Sequence, residues 1–246
     1  MTRRSYIILL SVFCGIGFTS GCGKNGCLKN AGALKTNDRQ LNSFNEILLY
    51  DKIDIVLTQD TIQQVKIEAG ENLQPDIETT VLNNVLTVRD NSSCKWVRDL
   101  NEKITVYISS PLIKQIIYHG AGNIISTNTL KADEFTIDSP DGLGTVNLKV
   151  NNRQTNAYIR MAAADIILQG KSASTRVYCA VSGSVNLRDF VSDYISVDHR
   201  SLRDSWINVS GTLEAKILYK GNLYYKGNPT KIDTMYSSSG RLFRMP

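Results

Sequence analysis

Aspartate is the residue type in this chain whose placement comes closest to a catalytic pattern. β-Helical enzymes that cleave polysaccharides use carboxylates that converge on one exposed strand face, and both Asp138 and Asp198 precede turns at similar places in the sequence. The pattern predicts Arg160 and Cys179 at the equivalent places between them, which interrupts a row of acids. The full set of candidates is Asp138, Asp141, Asp165, Asp189, Asp193, Asp198 and Asp204. Because aspartate is frequent in turns for backbone reasons alone, we interpret them as turn residues, and a polysaccharide lyase or hydrolase is the alternative.

The two histidines and the small-residue loops carry no second catalytic pattern. His119 and His199 have no clear partner in the sequence and are interpreted as turn residues. Ser182-Gly183-Ser184 lacks the flanking glycines of a nucleophile elbow, and Gly120-Ala121-Gly122 precedes a predicted strand, whereas a phosphate-binding glycine loop precedes a helix. No Cys/His spacing matches a zinc site, and no Gly/Asp repeat matches a calcium-binding turn. We therefore expect no catalytic residue, no metal site and no cofactor.

Aromatic residues are the remaining candidates for contact with a ligand. Rings that share one exposed face of a sheet form a stripe for sugar stacking, whereas buried rings fill the core or close the end of a fold. The sequence leaves both interpretations open. The residues concerned are Tyr158, Tyr178, Tyr194, Trp206, Tyr219, Tyr224, Tyr225 and Tyr236.

Most of these candidates fall within a repeat that begins near Gln115. Each unit comprises a short strand, a turn of small residues and a second short strand, and its period of about 20 residues is typical of a solenoid. One unit cannot bury its own apolar face, so stacked units must pair equivalent strands, about 4.8 Å apart, and align their inward side chains in ladders. The predicted ladder is Ile124, Val146, Ile166, Val185, Ile207 and Leu223. Sharp bends, where glycine accepts backbone angles closed to other residues, are predicted at Gly122, Gly144, Ala164 and Gly183.

The predicted fold is therefore all-β, a right-handed parallel β-helix-like solenoid with a more irregular N-terminal β portion. In that portion, the alternation of apolar and polar residues predicts short strands between Phe44 and Ser109. Asn83-Asn84 fits the positive φ angles of a tight hairpin turn. An antiparallel meander or sandwich also alternates in this way and is the alternative fold, but the nearly constant period favours the solenoid.

The first residues have the features of a targeting segment. Arg3 and Arg4 precede an apolar run from Tyr6 to Phe18, which is typical of a secretory signal peptide and short for a membrane-spanning helix. Ser20-Gly21-Cys22 resembles the lipobox of bacterial lipoproteins, although Thr19 stands where leucine is usual. We predict a lipoprotein signal peptide at residues 1–21, lipid attachment at Cys22, a flexible tether at 22–38 and the solenoid at 39–246. An ordinary signal peptide is the alternative.

Charge and cysteine content narrow the class of protein further. The formal net charge is +5, of which Arg3 and Arg4 leave with the signal peptide, and the other basic residues are scattered without interleaved aromatic residues. A nucleic-acid partner is therefore not expected. Cys27 and Cys94 are the candidates for a disulfide in an exported protein. Cys179 lies in an apolar stretch and is interpreted as a small buried residue.

With these residues in view, the chain resembles the family of auto-transporter adhesins with a head GIN domain, which is common in Bacteroidetes. The similarity extends over roughly Phe44 to Gly240 and is closest at Tyr224-Tyr225-Lys226-Gly227-Asn228-Pro229. The Gly-Ser/Ala-Gly turn of the family is present at Gly120-Ala121-Gly122 and replaced at Pro140-Asp141-Gly142. The resemblance implies a β-helix-like fold and an adhesin-like role, and it supplies no catalytic residues.

Together, these patterns predict a lipid-anchored β-solenoid of the cell envelope that binds or scaffolds and is not an enzyme. The expected partners are the membrane, through the lipid on Cys22, and a glycan or an envelope or host protein; nucleic acid is not among them. Further copies of the chain are expected to associate through exposed strand edges at the solenoid ends. The expected location is the outer membrane, with the periplasmic and the external face both open.

Overall fold

The computed structural model describes residues 30–92, 95 and 103–246, and they form a β-solenoid of about six turns. This is the predicted fold class. Over the described residues the only helical element is a short 3₁₀ turn, Gln74–Asp76, and none of them forms a helix long and apolar enough to cross a membrane. The predicted signal peptide, Cys22, Cys27 and Cys94 lie outside the described residues.

Seventeen strands make up the solenoid in the described part of the chain. In chain order they are β1 (Leu34–Arg39), β2 (Glu46–Leu49), β3 (Asp54–Gln59), β4 (Gln64–Gly70), β5 (Ile77–Leu82), β6 (Val85–Asp90), β7 (Thr105–Ser110), β8 (Gln115–Tyr118), β9 (Ile124–Leu130), β10 (Glu134–Ser139), β11 (Thr145–Ile159), β12 (Asp165–Val181), β13 (Ser184–Ser201), β14 (Ser205–Ile217), β15 (Leu223–Lys226), β16 (Lys231–Tyr236) and β17 (Leu242–Arg244).

The strands form two sheets around one apolar core, and each regular coil contributes to both. The first sheet has the order β5-β6-β2-β8-β10-β11-β12-β13-β14-β16. The second sheet has the order β1-β4-β7-β3-β9-β11-β12-β13-β14-β15-β17. The long strands β11 to β14 belong to both, with their first halves in the second sheet and their second halves in the first.

The inward side chains of the second sheet align as predicted over four coils. Successive rungs hold Ile124, Val146, Ile166 and Val185, all fully buried. The prediction is wrong at the next coil, where Ser205 and not Ile207 continues this ladder and pairs onward with Leu223. A serine is accepted here because its hydroxyl takes a hydrogen bond from the Val185 N–H, at 3.1 Å. The aliphatic residue predicted for this rung, Ile207, therefore lies two positions after the residue that occupies it.

The N-terminal coils do not follow chain order. Strands β2 and β3 lie between the later strands β6 and β7 on one side and β8 and β9 on the other. The chain between β3 and β6 forms β4, the 3₁₀ turn and β5. β4 pairs antiparallel with β1 and β7, and β5 pairs antiparallel with β6. These antiparallel strands cover this end of the solenoid and constitute the irregular N-terminal portion that the sequence predicts.

The boundary of the predicted tether needs correction. Leu34–Arg39, most of which was assigned to the tether of residues 22–38, forms strand β1 against β4. Five of its six residues are exposed and the sixth is half-buried. The strand therefore has no apolar alternation, which is the signal that would have shown it in the sequence.

The hairpin between β5 and β6 has the predicted turn. Asn83 and Asn84 join Leu82 to Val85 with φ angles of 51° and 64°. Two successive residues with positive φ are the requirement of the two-residue hairpin turn whose twist matches that of the flanking strands.

The bends predicted at small residues are present. At Gly144, however, glycine is required because the backbone of the preceding coil lies very close, and not because of its backbone angles. A Cβ there would lie 2.1 Å from the carbonyl oxygen of Gly122 in the preceding coil, and its φ is not positive. The Gly144 N–H donates to the hydroxyl of buried Tyr118 at 3.0 Å, and that hydroxyl donates to the Gly122 carbonyl. Burial raises the pKa of Tyr118 to about 12, so the bridge between the two turns stays protonated.

Candidate functional site

On the first sheet, residues near the ends of the strands occupy equivalent positions on successive coils and form a row along the solenoid axis. Leu49 pairs with both Val88 and Tyr118, so the next residue of each strand lies beside its neighbours. The same level continues through Ala180, which pairs with Arg200, and successive positions are about 4.8 Å apart. We call this set the axial row, and its polar members are Arg89, Tyr50, His119, Arg160 and Arg200.

At the N-terminal end of the axial row, three side chains stack on one another. The Arg89 guanidinium lies 3.9 Å from the centre of the Tyr50 ring. Tyr50 stacks in turn on His119, with ring centres 5.0 Å apart and planes within 10°. The Nδ1 atom of His119 is 2.6 Å from Oδ1 of Asp141. The carboxylate therefore fixes the orientation of the imidazole, and the stack fixes the position of the arginine.

This stack forms one wall of a cleft with a volume of about 640 Å³. Its lining is Tyr50, Asp51, Lys52, Arg89, Asp90, Asn91, Ser92, Lys95, His119, Gly120, Ala121, Asp141 and Leu143. Acidic and basic groups alternate in it, and the Lys95 ammonium lies 2.6 Å from Oδ1 of Asp51. Such a mixture offers both donors and acceptors, which suits a ligand rich in hydroxyl groups more than one with a single sign of charge.

Further along the first sheet, two aspartates frame two tyrosines. Asp138, Tyr158, Tyr178 and Asp198 pair in that order across β10 to β13. All four alternate with buried neighbours and point outward. The prediction that Arg160 and Cys179 stand between the two aspartates is therefore wrong in register, by two residues at the first position and by one at the second. The interruption itself is real, because tyrosines separate the acids.

Each of these aspartates holds an arginine of the axial row. Arg160 donates from Nε and Nη2 to the carboxylate of Asp138 at 2.8–3.2 Å. Arg200 donates from Nε and Nη2 to Asp198, at 2.7 and 3.0 Å. Both hydrogen-bonded pairs raise the pKa of the arginine above its usual value. Two-pronged pairing holds the plane of each guanidinium in one orientation.

The two arginines also contact the tyrosines between them. The Arg160 guanidinium carbon lies 5.5 Å from the Tyr158 ring centre, and that of Arg200 lies 5.8 Å from the Tyr178 ring centre. We call this surface the platform, and its residues are Asp138, Tyr158, Arg160, Tyr178, Asp198 and Arg200. It combines two arginines of the axial row with the outward residues two positions before that row on β10 to β13, in the order Asp138, Tyr158, Tyr178 and Asp198.

A second aromatic group lies on the outer face of the second sheet. Trp206, Tyr224 and Phe243 occupy successive rungs and stack with ring centres 6.0 and 5.5 Å apart. Arg188 covers the Trp206 ring at 4.3 Å. The rings therefore face one another and expose mainly their edges. By contrast, Tyr158 and Tyr178 stack on no other aromatic ring among the residues that the structure describes.

The predicted aromatic residues thus do not form one continuous stripe. Tyr158 and Tyr178 belong to the platform, and Trp206 and Tyr224 belong to the stack on the opposite sheet. Phe243 completes that stack and is not among the predicted residues. The others are separate: Tyr194 donates to Glu214, Tyr225 packs against the core, and Tyr219 and Tyr236 are exposed.

The remaining candidate aspartates each have their own partner. Asp165 pairs with Arg203 at 2.8 Å, and Asp189 lies 3.7 Å from the Lys226 ammonium. Asp193 accepts a hydrogen bond from Ser210, and Asp204 accepts one from the Asn222 N–H. In the described ranges, no group of three or more His, Cys, Asp or Glu side chains could hold a metal ion. The seven carboxylates are thus engaged in separate local contacts.

His199 is not a turn residue as predicted; it lies inside the core on strand β13. It occupies the rung after Cys179, and both side chains are fully buried. Within the described part of the chain, neither ring nitrogen of His199 has a hydrogen-bond partner, and burial lowers its pKa. Burial also raises the pKa of the Cys179 thiol to about 11, so Cys179 is a buried thiol, as predicted. Alternation with Val197 and Ser201 was the signal for an inward histidine.

Comparisons with known proteins agree with the fold. A family model described as "Putative auto-transporter adhesin, head GIN domain" matches residues 43–229. A putative adhesin from Bacteroides fragilis has a similar crystal structure, with a TM-score of 0.80, 22% identity and coverage of 87% of this chain and 97% of that one. A putative adhesin from Parabacteroides distasonis has a TM-score of 0.68, 19% identity and coverage of 87% and 98%.

A third crystal structure, of a putative lipid binding protein from Parabacteroides distasonis, has a TM-score of 0.65 and 16% identity, with coverage of 87% of this chain and 98% of that one. At these identities the similarity concerns the fold. No curated protein sequence matches the chain.

Proposed function

Since the chain belongs to the auto-transporter adhesin, head GIN domain family, we propose that it is an exported, lipid-anchored protein of the cell envelope that binds an extended ligand and does not catalyse a reaction. The ligand lies along the axial row, from the cleft at Tyr50 and His119 to the platform at Tyr158 and Tyr178. The acyl chains on Cys22 would attach the protein to the outer membrane. Loss of palmitate labelling in Cys22→Ala would support this anchor, and labelling that persists would contradict it.

The observation that carries the proposal is the length of the axial row. Its polar side chains lie on or directly after β6, β2, β8, β11 and β13, with Pro140 and buried Ala180 at the row positions between the last three, and each coil adds about 4.8 Å. A site of this shape is long, shallow and open, and it contacts a ligand through many similar units. That shape suits a polymer or a surface more than a small metabolite, which is usually enclosed in a concave pocket.

The wide separation of the two platform carboxylates supports a binding role. Asp138 and Asp198 lie on strands three rungs apart, or about 14 Å. Glycosidases hold their two carboxyl groups about 5–10 Å apart. Each of the two aspartates is also engaged in a two-pronged pair with an arginine, and the arginine occupies its carboxylate oxygens in part.

Binding is tested with the full protein, immobilised in detergent and exposed to a panel of soluble polysaccharides and an envelope extract. We expect the wild type to retain at least one probe and Tyr158→Ala/Tyr178→Ala to lose it by about tenfold or more, because the rings supply contact area. The matched control is Tyr219→Ala, an exposed tyrosine outside the axial row. No retained probe, or an equal loss in the control, would overturn the proposal.

A further inference from the structure

The charge and spacing of the platform specify the ligand class more narrowly. We propose that the platform binds an uncharged glycan chain whose long axis is parallel to the solenoid axis. This inference rests on the proposed binding function and adds the chemistry and orientation of the ligand.

The charges on the face around the platform cancel. Arg160 and Arg200 are matched by Asp138 and Asp198 in direct pairs. The outward positions of the adjoining rows on β10, β12 and β14 add two basic and two acidic side chains, so the sum over this face is zero. They are Arg176, Lys216, Glu134 and Glu214. An anionic polymer is attracted by a surface with net positive charge, and this face has none.

The geometry of the arginine–aspartate pairs fits hydroxyl groups. In each pair the Nε and Nη2 atoms point to the carboxylate, so the Nη1 edge of each guanidinium still has donors for a ligand. The carboxylate oxygens keep unused lone pairs and accept hydrogen bonds from ligand hydroxyls. A sugar hydroxyl both donates and accepts, so one pair satisfies neighbouring hydroxyls of one sugar ring.

The spacing fixes the direction of the chain. Tyr158 and Tyr178 are one rung apart, about 4.8 Å, and Arg160 and Arg200 are two rungs apart, about 9.6 Å. The second distance is similar to the length of a disaccharide, so a glycan along the solenoid axis meets an arginine–aspartate pair with each disaccharide. A glycan parallel to the strands would meet one pair at most.

The stack of Trp206, Tyr224 and Phe243 does not offer the same contact. Sugars pack their C–H groups on the face of an aromatic ring, and in this stack the inner faces are covered by neighbouring rings and by Arg188. The stack therefore serves as a control surface of similar composition. Arg188 has no ion pair within the described ranges, so its removal also changes the net charge by one.

The experiment measures binding of the full, detergent-solubilised protein to neutral polysaccharides (dextran, laminarin, glucomannan, xylan) and acidic ones (polygalacturonate, hyaluronate) by calorimetry at low and high salt. We expect binding to at least one neutral polysaccharide with little dependence on salt. Arg160→Gln/Arg200→Gln should weaken it by about tenfold or more, the effect of lost charged hydrogen bonds. Arg188→Gln should bind as the wild type does, and unchanged thermal midpoints verify folding.

The outcomes separate this inference from the proposed function. Binding only to acidic polysaccharides, weakened by salt, would overturn the neutral ligand and keep the binding function. Neutral binding that is unaffected by the Arg160/Arg200 double variant would overturn the assignment to the platform. Binding to none of these polysaccharides overturns this inference, while retention of an envelope component by the wild type would still uphold the broader proposal.

Discussion

The two outer faces of the solenoid carry similar residues in different arrangements. On the first sheet, Tyr158 and Tyr178 lie between Asp138 and Asp198, each of which pairs with an arginine, and the two rings stack on no other described ring. On the second sheet, Trp206 and Tyr224 stack face to face, and Arg188 covers the end of the stack. Aromatic composition alone therefore does not identify a binding face: the rings of the second sheet cover one another, whereas the half-buried rings of Tyr158 and Tyr178 each contact an arginine side chain.

The largest effect is expected where the two faces are joined. Gly144 lies in the turn between β10 on the first sheet and the second-sheet half of β11, and a Cβ there would meet the Gly122 carbonyl at 2.1 Å. We expect Gly144→Val to lower the free energy of unfolding by about 3 kcal/mol or more, because backbone must move. Urea unfolding gives the value. The neighbouring control Leu143→Ala should cost little, since that side chain is 65% exposed.

If Gly144→Val unfolds with the same midpoint as Leu143→Ala, the close packing at this turn does not hold the two sheets in their relative position. The comparison of the faces would then need another structural basis, such as the pairing within each sheet.

A direct test of the comparison removes one aromatic ring from each face. Trp206→Ala removes one ring stack and one cation–π contact, so we expect a loss of about 2 kcal/mol in stability with ligand binding unchanged. Tyr158→Ala should cost less than about 1 kcal/mol and weaken binding. Thermal and urea unfolding of both variants, beside the binding assay, measure this. A Trp206→Ala protein that keeps full stability and loses binding would reverse the assignment.

A pH dependence is expected from the core that both faces share. Burial lowers the pKa of His199 below its ordinary value of 6.5, against a weaker opposite effect of Asp204. As pH falls below about 6.5, the unfolded chain takes up a proton at this residue before the folded chain does. The contribution of His199 to stability is therefore complete above 6.5 and declines as pH falls towards the folded pKa.

The measurement compares urea unfolding of the wild type and His199→Met over a range of pH below 7. The wild type should lose more stability on acidification than the variant, and the difference isolates His199 from other titrating groups. Equal losses in the two proteins would show that His199 is not the group responsible, and they would leave the comparison of the outer faces unaffected.

The sequence predicts the regular coils well because their period is nearly constant. Tyr158, Tyr178 and Asp198 follow one another at intervals of 20 residues, and the ladder Ile124, Val146, Ile166 and Val185 has intervals of 22, 20 and 19. The prediction becomes wrong where a polar residue takes an inward rung: Ser205 and His199 both do so, and both look like turn or surface residues in a pattern of apolar positions.

The cleft was beyond sequence reasoning for a topological reason. Arg89, Tyr50 and His119 are adjacent in space because the coil that contains Tyr50 lies between two coils formed later in the chain. No period in the sequence relates these residues, since the segment between β3 and β6 leaves the solenoid path. The platform, by contrast, lies entirely in the periodic part, so its tyrosines and aspartates are among the candidates from the sequence. Their register and the two arginine–aspartate pairs are not predicted by it.

The first coils do not stack in chain order, and this affects the order in which the chain folds. From β10 onward each coil needs only the one before it, so growth can proceed in steps along the stack. Strands β2 and β3 instead wait for partners on both sides, and their second neighbours, β8 and β9, end only at Leu130. Closing such long loops is slow compared with adding a coil, so the nucleus of folding should contain strands β2 to β9, and the later coils should add to it one at a time.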